Sequence, residues 1–192
     1  MLQLFGYLSG FVSFLGYPPY IRDIFRGTTR PERASWFIWS VLGSIAFASQ
    51  FAEGARFSLW MTGVQTLGVL VIFLFSLRRG EGGLTRRDII ALIVAGIGIV
   101  LWYFTRQAAY ALFLVILADA AGSALTVIKS YEDPGSETLL AWIFASLGGV
   151  FAALAVGKWS FILLAYPVYI FLANFAVIVA IFLGKKCCKL GA

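Results

Sequence analysis

Runs of about twenty apolar residues alternate with short polar turns from one end of the chain to the other. Seven runs stand out, over about 2–20, 35–53, 57–77, 88–105, 108–128, 138–157 and 159–183. A helix needs roughly 20 apolar residues to cross the hydrocarbon of a bilayer. Backbone exposed to lipid must also satisfy its own hydrogen bonds, so the runs predict helices and not strands. The turns after the second run (Glu53-Gly54-Ala55-Arg56) and after the sixth (Gly157-Lys158) are tight, and little more than Arg106-Gln107 separates the fourth from the fifth.

The pattern also returns on itself. Glu32, Ile38, Trp39, Leu42 and Gly43 recur as Glu137, Ile143, Phe144, Leu147 and Gly148, a spacing of 105. Upstream, Pro19-Tyr20-Ile21 and Phe25 face Leu125-Thr126-Val127 and Tyr131 at a spacing of 106, which predicts one residue gained or lost in the loop. In each copy an apolar segment ends, a polar turn follows, and a second apolar segment opens behind a Glu. A period of this length marks a duplicated supersecondary unit. The runs then group as three, one and three: residues 1–77 as a first three-helix repeat, 78–107 as a linker loop with the fourth helix, and 108–192 as a second repeat with a basic tail. The odd helix between them gives both copies the same orientation, and parallel repeats are a known transporter construction. The expected fold class is an all-α integral membrane bundle of seven spans.

Composition agrees with lipid as the solvent. The chain is 61% hydrophobic and 12% charged, with a mean hydropathy of +0.91. Soluble domains average roughly 45–50% apolar and about 25% charged. A net charge of +6 raises the question of nucleic acid, but the basic residues flank apolar runs and form no stripe, so no nucleic-acid partner is expected. Twelve of the fifteen Lys and Arg residues fall on one side of the predicted spans, among them Arg22, Arg26, Arg30, Arg33, Arg78, Arg79, Arg86, Arg87 and Lys129, while Arg56, Arg106 and Lys158 fall on the other. The positive-inside rule therefore puts the N-terminus outside, the C-terminus in the cytoplasm and both repeated turns in the cytoplasm. A multi-pass protein of a bacterial inner or plasma membrane is expected. The first run lacks a basic leader and a small-x-small cleavage site, so it reads as a retained helix.

Candidate chemistry is sparse. The chain has no His, and its two cysteines are the adjacent pair Cys187-Cys188, so neither a metal nor another cofactor is expected. Asp119 is the one acidic residue well inside a run, where a charged Asp costs about 2.5–3.5 kcal/mol on insertion scales. Such a carboxyl is a candidate for coupling to protons, with a structural interhelical hydrogen bond as the alternative. Asn174 in the seventh run and Gln65 and Thr66 in the third can bind a hydroxylated solute or clasp a neighbouring helix. Trp36, Trp60, Trp142 and Trp159 read as interfacial belt residues, whereas Trp39 and Phe144, a turn deeper, form a candidate pocket pair. Pro18-Pro19 and Pro167 interrupt the first and seventh runs, as hinges or as static kinks. Small residues at Gly6, Ser9, Gly10, Ser13 and Gly16 predict a close-packing face on the first helix.

The two turns and the three-one-three plan resemble the PQ-loop family, which includes the SWEET and SemiSWEET sugar transporters and the cystinosin-like exporters. Pro19-Tyr20 stands where that family has Pro-Gln, and Leu125-Thr126 stands there in the second copy. The resemblance covers nearly the whole chain and implies a solute pocket between two repeats, opened alternately to each side. Asp119 looks like the intramembrane Asp of proton-coupled members, about a turn out of their spacing. SWEET-like members line the sugar site with an aromatic late in the second helix of a repeat and an Asn in the third. Here Ala48-Ser49-Gln50 and Ala153-Leu154-Ala155 hold no Trp, and Gln65 stands in the third helix, so the resemblance implies a small polar solute and not a sugar in particular. The Trp36-x-x-Trp39 pair is also similar to bacterial nicotinamide riboside transporters, which share the plan.

The expected function is transport of a small polar solute by alternating access, with proton coupling through Asp119. The alternatives are a non-transporting receptor or structural bundle of the same fold and a nicotinamide-riboside-type facilitator. An intramembrane enzyme is the poorest reading, with no His and no paired carboxylates inside the runs. The bilayer and the solute are the expected partners, and homo-oligomerisation stays open.

Overall fold

The computed structural model describes residues 1–27, 29, 31, 33–80, 85–135 and 137–190. They form eight helices and no strand: α1 (Leu2–Leu15), α2 (Tyr17–Arg26), α3 (Arg33–Ala52), α4 (Leu59–Arg79), α5 (Arg86–Thr105), α6 (Ala108–Glu132), α7 (Leu139–Ala155) and α8 (Phe161–Leu190). Six of the seven predicted runs each become one helix. The first is split at Gly16, because Pro18 and Pro19 have no N–H to return to the carbonyls of Phe14 and Leu15. These prolines instead occupy the first turn of α2, where a missing donor costs nothing. Pro167 leaves α8 unbroken.

Among the described residues, two helices are long and apolar enough to cross a membrane, Leu59–Arg79 and Phe161–Lys186, where seven such spans were expected. The remaining apolar stretches run 10–17 residues, among them Trp36–Ala52, Ala108–Ala120 and Leu139–Ala155.

α4 packs against both α1 and α3, and α8 packs against both α6 and α7. Two further contacts join these groups, α1 on α7 and α3 on α6, while α5 lies against α6 and the flank of α3. Paired residues give the directions. Tyr17 reaches Gln65 along parallel α1–α2 and α4, Gln50 reaches Thr62 across antiparallel α3 and α4, and Ser146 reaches Phe171 across antiparallel α7 and α8. Phe5 stacks on Phe151 while Gly16 abuts the Ala141 carbonyl, so α1 and α7 are antiparallel. α1, α4, α6 and α8 therefore run one way, and α3, α5 and α7 the other.

The internal spacing differs from the one read off residue identities. Ser40, Leu42, Gly43, Ala46 and Ser49 of α3 are buried, and so are Ser146, Gly148, Gly149, Ala152 and Ala155 of α7, each 106 residues on. At a spacing of 105, buried Leu42 and Ser49 would fall on exposed Leu147 and Leu154. α7 doubles its glycine, and the two pack on different helices: Gly148 faces Ser13 of α1 and Gly149 faces α8. A Cβ on Gly43 would lie 2.9 Å from Thr66 Oγ1 of α4, and one on Gly149 would lie 2.7 Å from the Phe171 nitrogen of α8. Each glycine thus lets its helix close on the middle helix of its own group. With 106 kept throughout, Trp39 corresponds to Ala145 and not to Phe144, and Asp119 corresponds to Ser13. Glu32 and Arg30 lie outside the described residues, as do the side chains of Arg87, Leu125, Lys129, Cys187 and Cys188.

The outer surface is apolar. Leu4, Phe11, Leu67, Leu74, Ile93, Leu172 and Phe182 are exposed, whereas Ser9, Ser13, Ser40, Ser49, Gln50, Thr62, Ser146 and Asn174 are buried. The small residues Gly6, Ser9, Gly10 and Ser13 form the buried face of α1, as their spacing predicts. At the end that holds α2, Arg33 Nε and Nη2 donate to the carbonyls of Ser76 (3.0 Å) and Gly80 (2.7 Å), capping the last turn of α4.

Candidate functional site

Asp119 is positioned by the stripe that builds the core. Ala111, Leu112, Val115 and Ala118 recur at helical spacing on the buried face of α6, packed on Ile38, Leu42 and Ala46 of α3 and on Tyr166 and Ile170 of α8. Asp119 is next on that face. The stripe is sealed at Ala111 (0% exposed) and Val115 (1%), but Asp119, Ser123 and Thr126 are half-buried. On α3, Ile38 stays buried between half-buried Trp39 and Trp36. Beyond Asp119, toward the end that carries α2, Ser130 of α6, Ile72 and Ser76 of α4, and Val177 and Ile181 of α8 are buried again.

The carboxyl is held by neutral donors. The Tyr169 hydroxyl of α8 donates to Asp119 Oδ2. Ser123 Oγ, one turn along α6, donates to the same oxygen at 3.4 Å and lies 3.2 Å from the Tyr169 oxygen. The Trp39 side chain of α3 is near the same carboxyl. Carboxylate oxygens only accept, so a hydroxyl of α8 and one of α6 itself meet this acceptor with matching groups. Among the described residues no Lys or Arg pairs with Asp119; the ion pair present is Arg22–Asp23, 3.1 Å, on the exposed face of α2.

A line of aromatic rings leads from Trp39 toward the end that carries α2. The Trp36 ring meets Trp39 edge-to-face at 5.2 Å and Tyr20 at 5.1 Å. Tyr20 in turn is within electrostatic reach of Glu137, whose Oε2 accepts from the Trp142 indole at 3.2 Å. On the other flank Tyr166 and Tyr169 lie 6.4 Å apart, ring to ring, and Tyr166 is within electrostatic reach of Tyr17. Trp36 is thus part of an interior wall, where a belt position was expected. Trp159 (99% exposed) and Trp60 (48%) do lie at the surface.

The other candidates are not gathered here. The Asn174 amide donates to the Ile170 carbonyl of its own helix at 2.6 Å. Gln65 contributes a backbone carbonyl, which accepts from Tyr17 at 3.1 Å. Thr66 donates to the Thr62 carbonyl at 2.7 Å and packs on Gly43. Phe144 is half-buried on α7, which packs chiefly against α1 and α8. Pro18 is exposed at the start of α2, Pro19 is half-buried beside it, and Pro167 is buried in α8 with its carbonyl beside Gly149.

Sequence reasoning missed Tyr169, Ser123, Tyr166, Tyr17 and Tyr20. The available signal was the phenol: an aromatic with a polar tip inside an apolar span needs a partner there, and Asp119 was the evident acceptor. The corresponding position on α1, Ser13, is buried against Gly148 with its hydroxyl unpartnered, so the two halves are chemically unequal at this level. Compared with known proteins, the chain matches no family model, no curated protein and no solved structure.

Proposed function

We propose that this protein is a multi-pass membrane transporter of a small polar solute, built as two parallel three-helix repeats with α5 as linker, and that Asp119 lies at its solute site. The observation that carries the reading is the Asp119 carboxyl inside an apolar span, held by neutral donors from α6 and α8 with no basic partner among the described residues. An apolar exterior over a polar interior supports lipid as the solvent.

The helix directions support parallel repeats: α1, α3 and α4 run up, down and up, and α6, α7 and α8 do the same. The reciprocal contacts of α1 with α7 and of α3 with α6 are those that a two-fold axis along the membrane normal requires. In this reading the solute pocket is the space between the two groups, bounded on one side of the membrane by the end that carries α2. That end holds the basic turns, so it is cytoplasmic by the positive-inside rule. Proton coupling is part of the proposal. Asp119 is the acidic group of the site, and Tyr166 and Tyr169 are the titratable groups that face it from α8 among the described residues. This is the arrangement implied by a PQ-loop-like protein with an intramembrane Asp.

The test is flux. Purified protein reconstituted in liposomes is screened with labelled amines, sugars, amino acids, nucleosides and organic acids. Uptake of at least one class above protein-free vesicles is expected. Binding without uptake across the whole set would replace the transporter by a receptor of the same architecture.

A further inference from the structure

We propose that the outer groove between α6 and α8, at the end that carries α2, binds one aminophospholipid molecule. Its acyl chain lies in the groove, its phosphate at Lys186 and its ammonium at Glu132. The proposal needs these helices to lie in a bilayer and is independent of whether the protein transports a solute.

Shape is the first argument. The groove has a volume of about 470 Å³ and is lined almost wholly by apolar atoms. Small residues of α8, Ala176 and Ala180, recess the surface between the larger, exposed Ile128 and Tyr131 of α6 and Val179 and Leu183 of α8. Beyond Leu183 the two helices close on each other, because a Cβ on Gly184 would run into the Tyr131 carbonyl and Pro134. A recess that is shut at one end suits a flexible acyl chain. A helix of a second copy, about 10–12 Å across with its side chains, needs a continuous trough.

Charge is the second argument, and it selects the headgroup. On α8, Lys186 follows Leu183 by three residues and Val179 by seven, so it continues that wall of the groove. On α6, Glu132 follows Ile128 by four and continues the opposite wall. Both side chains are exposed, and the ion pair among the described residues, Arg22–Asp23, involves neither. Of their neighbours, Lys185 falls on the far face of α8 from Leu183, and Asp133 accepts from the Gly135 N–H at 3.3 Å. A headgroup with a negative charge alone meets repulsion at Glu132, and a choline headgroup has no N–H to offer it. A phosphodiester that carries a primary ammonium satisfies both ends. Its phosphate accepts from Lys186 and its ammonium donates to Glu132, each a charge-assisted hydrogen bond.

The experiment is native mass spectrometry of the full chain in detergent, titrated with three lipids of identical palmitoyl-oleoyl chains. These are phosphatidylethanolamine, phosphatidylcholine and phosphatidylglycerol. One phosphatidylethanolamine per chain is expected, held about fivefold or more tightly than either of the others. Glu132→Gln is expected to bring it down to the level of phosphatidylglycerol, and Lys186→Gln to weaken both of these lipids. Both residues are exposed, so neither change puts the fold at risk. Ala176→Leu, which fills the recess, is expected to weaken all three lipids several-fold. Equal binding of the three lipids, or a preference that survives Glu132→Gln and Lys186→Gln, overturns the proposal. So does binding that Ala176→Leu leaves unchanged. With Cys187 and Cys188 replaced by Ser, a cysteine at Leu183 that cross-links two copies in membranes gives the groove to a second copy and also overturns it. The transporter reading fails separately. Lipid selectivity without flux of any solute sinks that reading and leaves this proposal standing, and flux without lipid selectivity does the reverse.

Discussion

The Tyr169 hydroxyl donates to Asp119 Oδ2, joining α8 to α6 one turn beyond the fully buried Val115. One hydrogen bond therefore both fastens two helices and orients the carboxyl of the proposed site.

Its strength is measurable. Tyr169→Phe keeps the ring and removes the donor, so unfolding in detergent should become easier by about 1 kcal/mol, the scale of polar contacts between membrane helices. Asp119→Asn should cost no more than that, because Asn still offers an acceptor to Tyr169. In a double-mutant cycle the pair should couple; additive effects would mean that the bond does not hold the helices.

The glycines separate packing from function. Gly149→Ala drives a Cβ into backbone at 2.7 Å from the Phe171 nitrogen, whereas Gly43→Ala meets the movable Thr66 hydroxyl at 2.9 Å. Destabilisation of about 1–3 kcal/mol is expected for Gly149→Ala and less for Gly43→Ala. A Cβ on Gly96, in α5, meets nothing within 4 Å, so Gly96→Ala should be neutral or stabilising by up to about 1 kcal/mol through helix propensity. Equal effects at all three would contradict the packing described here.

Much of the fold was legible in the sequence, for reasons that particular residues make plain. Six of the seven apolar runs each became one helix, in order, while the first, read as a single span, divides at Gly16 before Pro18-Pro19 and gives eight helices among the described residues. Residue identity suggests a spacing of 105 at Leu147-Gly148, whereas the buried positions of α3 and α7 match best at 106, because α7 carries two adjacent packed glycines. Asp119 was found from its cost alone. Its partners were not, since Tyr169 is 50 residues away and only the packing of α6 on α8 joins them. Asn174 and Gln65 looked equally suited from sequence. Yet Asn174 spends its amide on its own helix, and Gln65 offers its main chain.

Orientation has its own check. With Cys187 and Cys188 replaced by Ser, single cysteines at the exposed positions Arg26 and Arg86 should resist an impermeant maleimide added outside intact cells. Cysteines at exposed Arg56 and Arg106 should react. Labelling at Arg26 from outside would invert the proposed topology.

The account stands most directly on proteoliposome uptake driven by an imposed proton gradient, wild type against Asp119→Asn, with the solute that the flux screen identifies. Wild type is expected to accumulate that solute above equilibrium and to lose accumulation when the gradient is collapsed. Asp119→Asn is expected to lose gradient-driven accumulation while insertion, folding and exchange down a solute gradient persist. If Asp119→Asn accumulates solute as wild type does, with the same response to pH, Asp119 is a helix clasp and the proposed site is not the transport site.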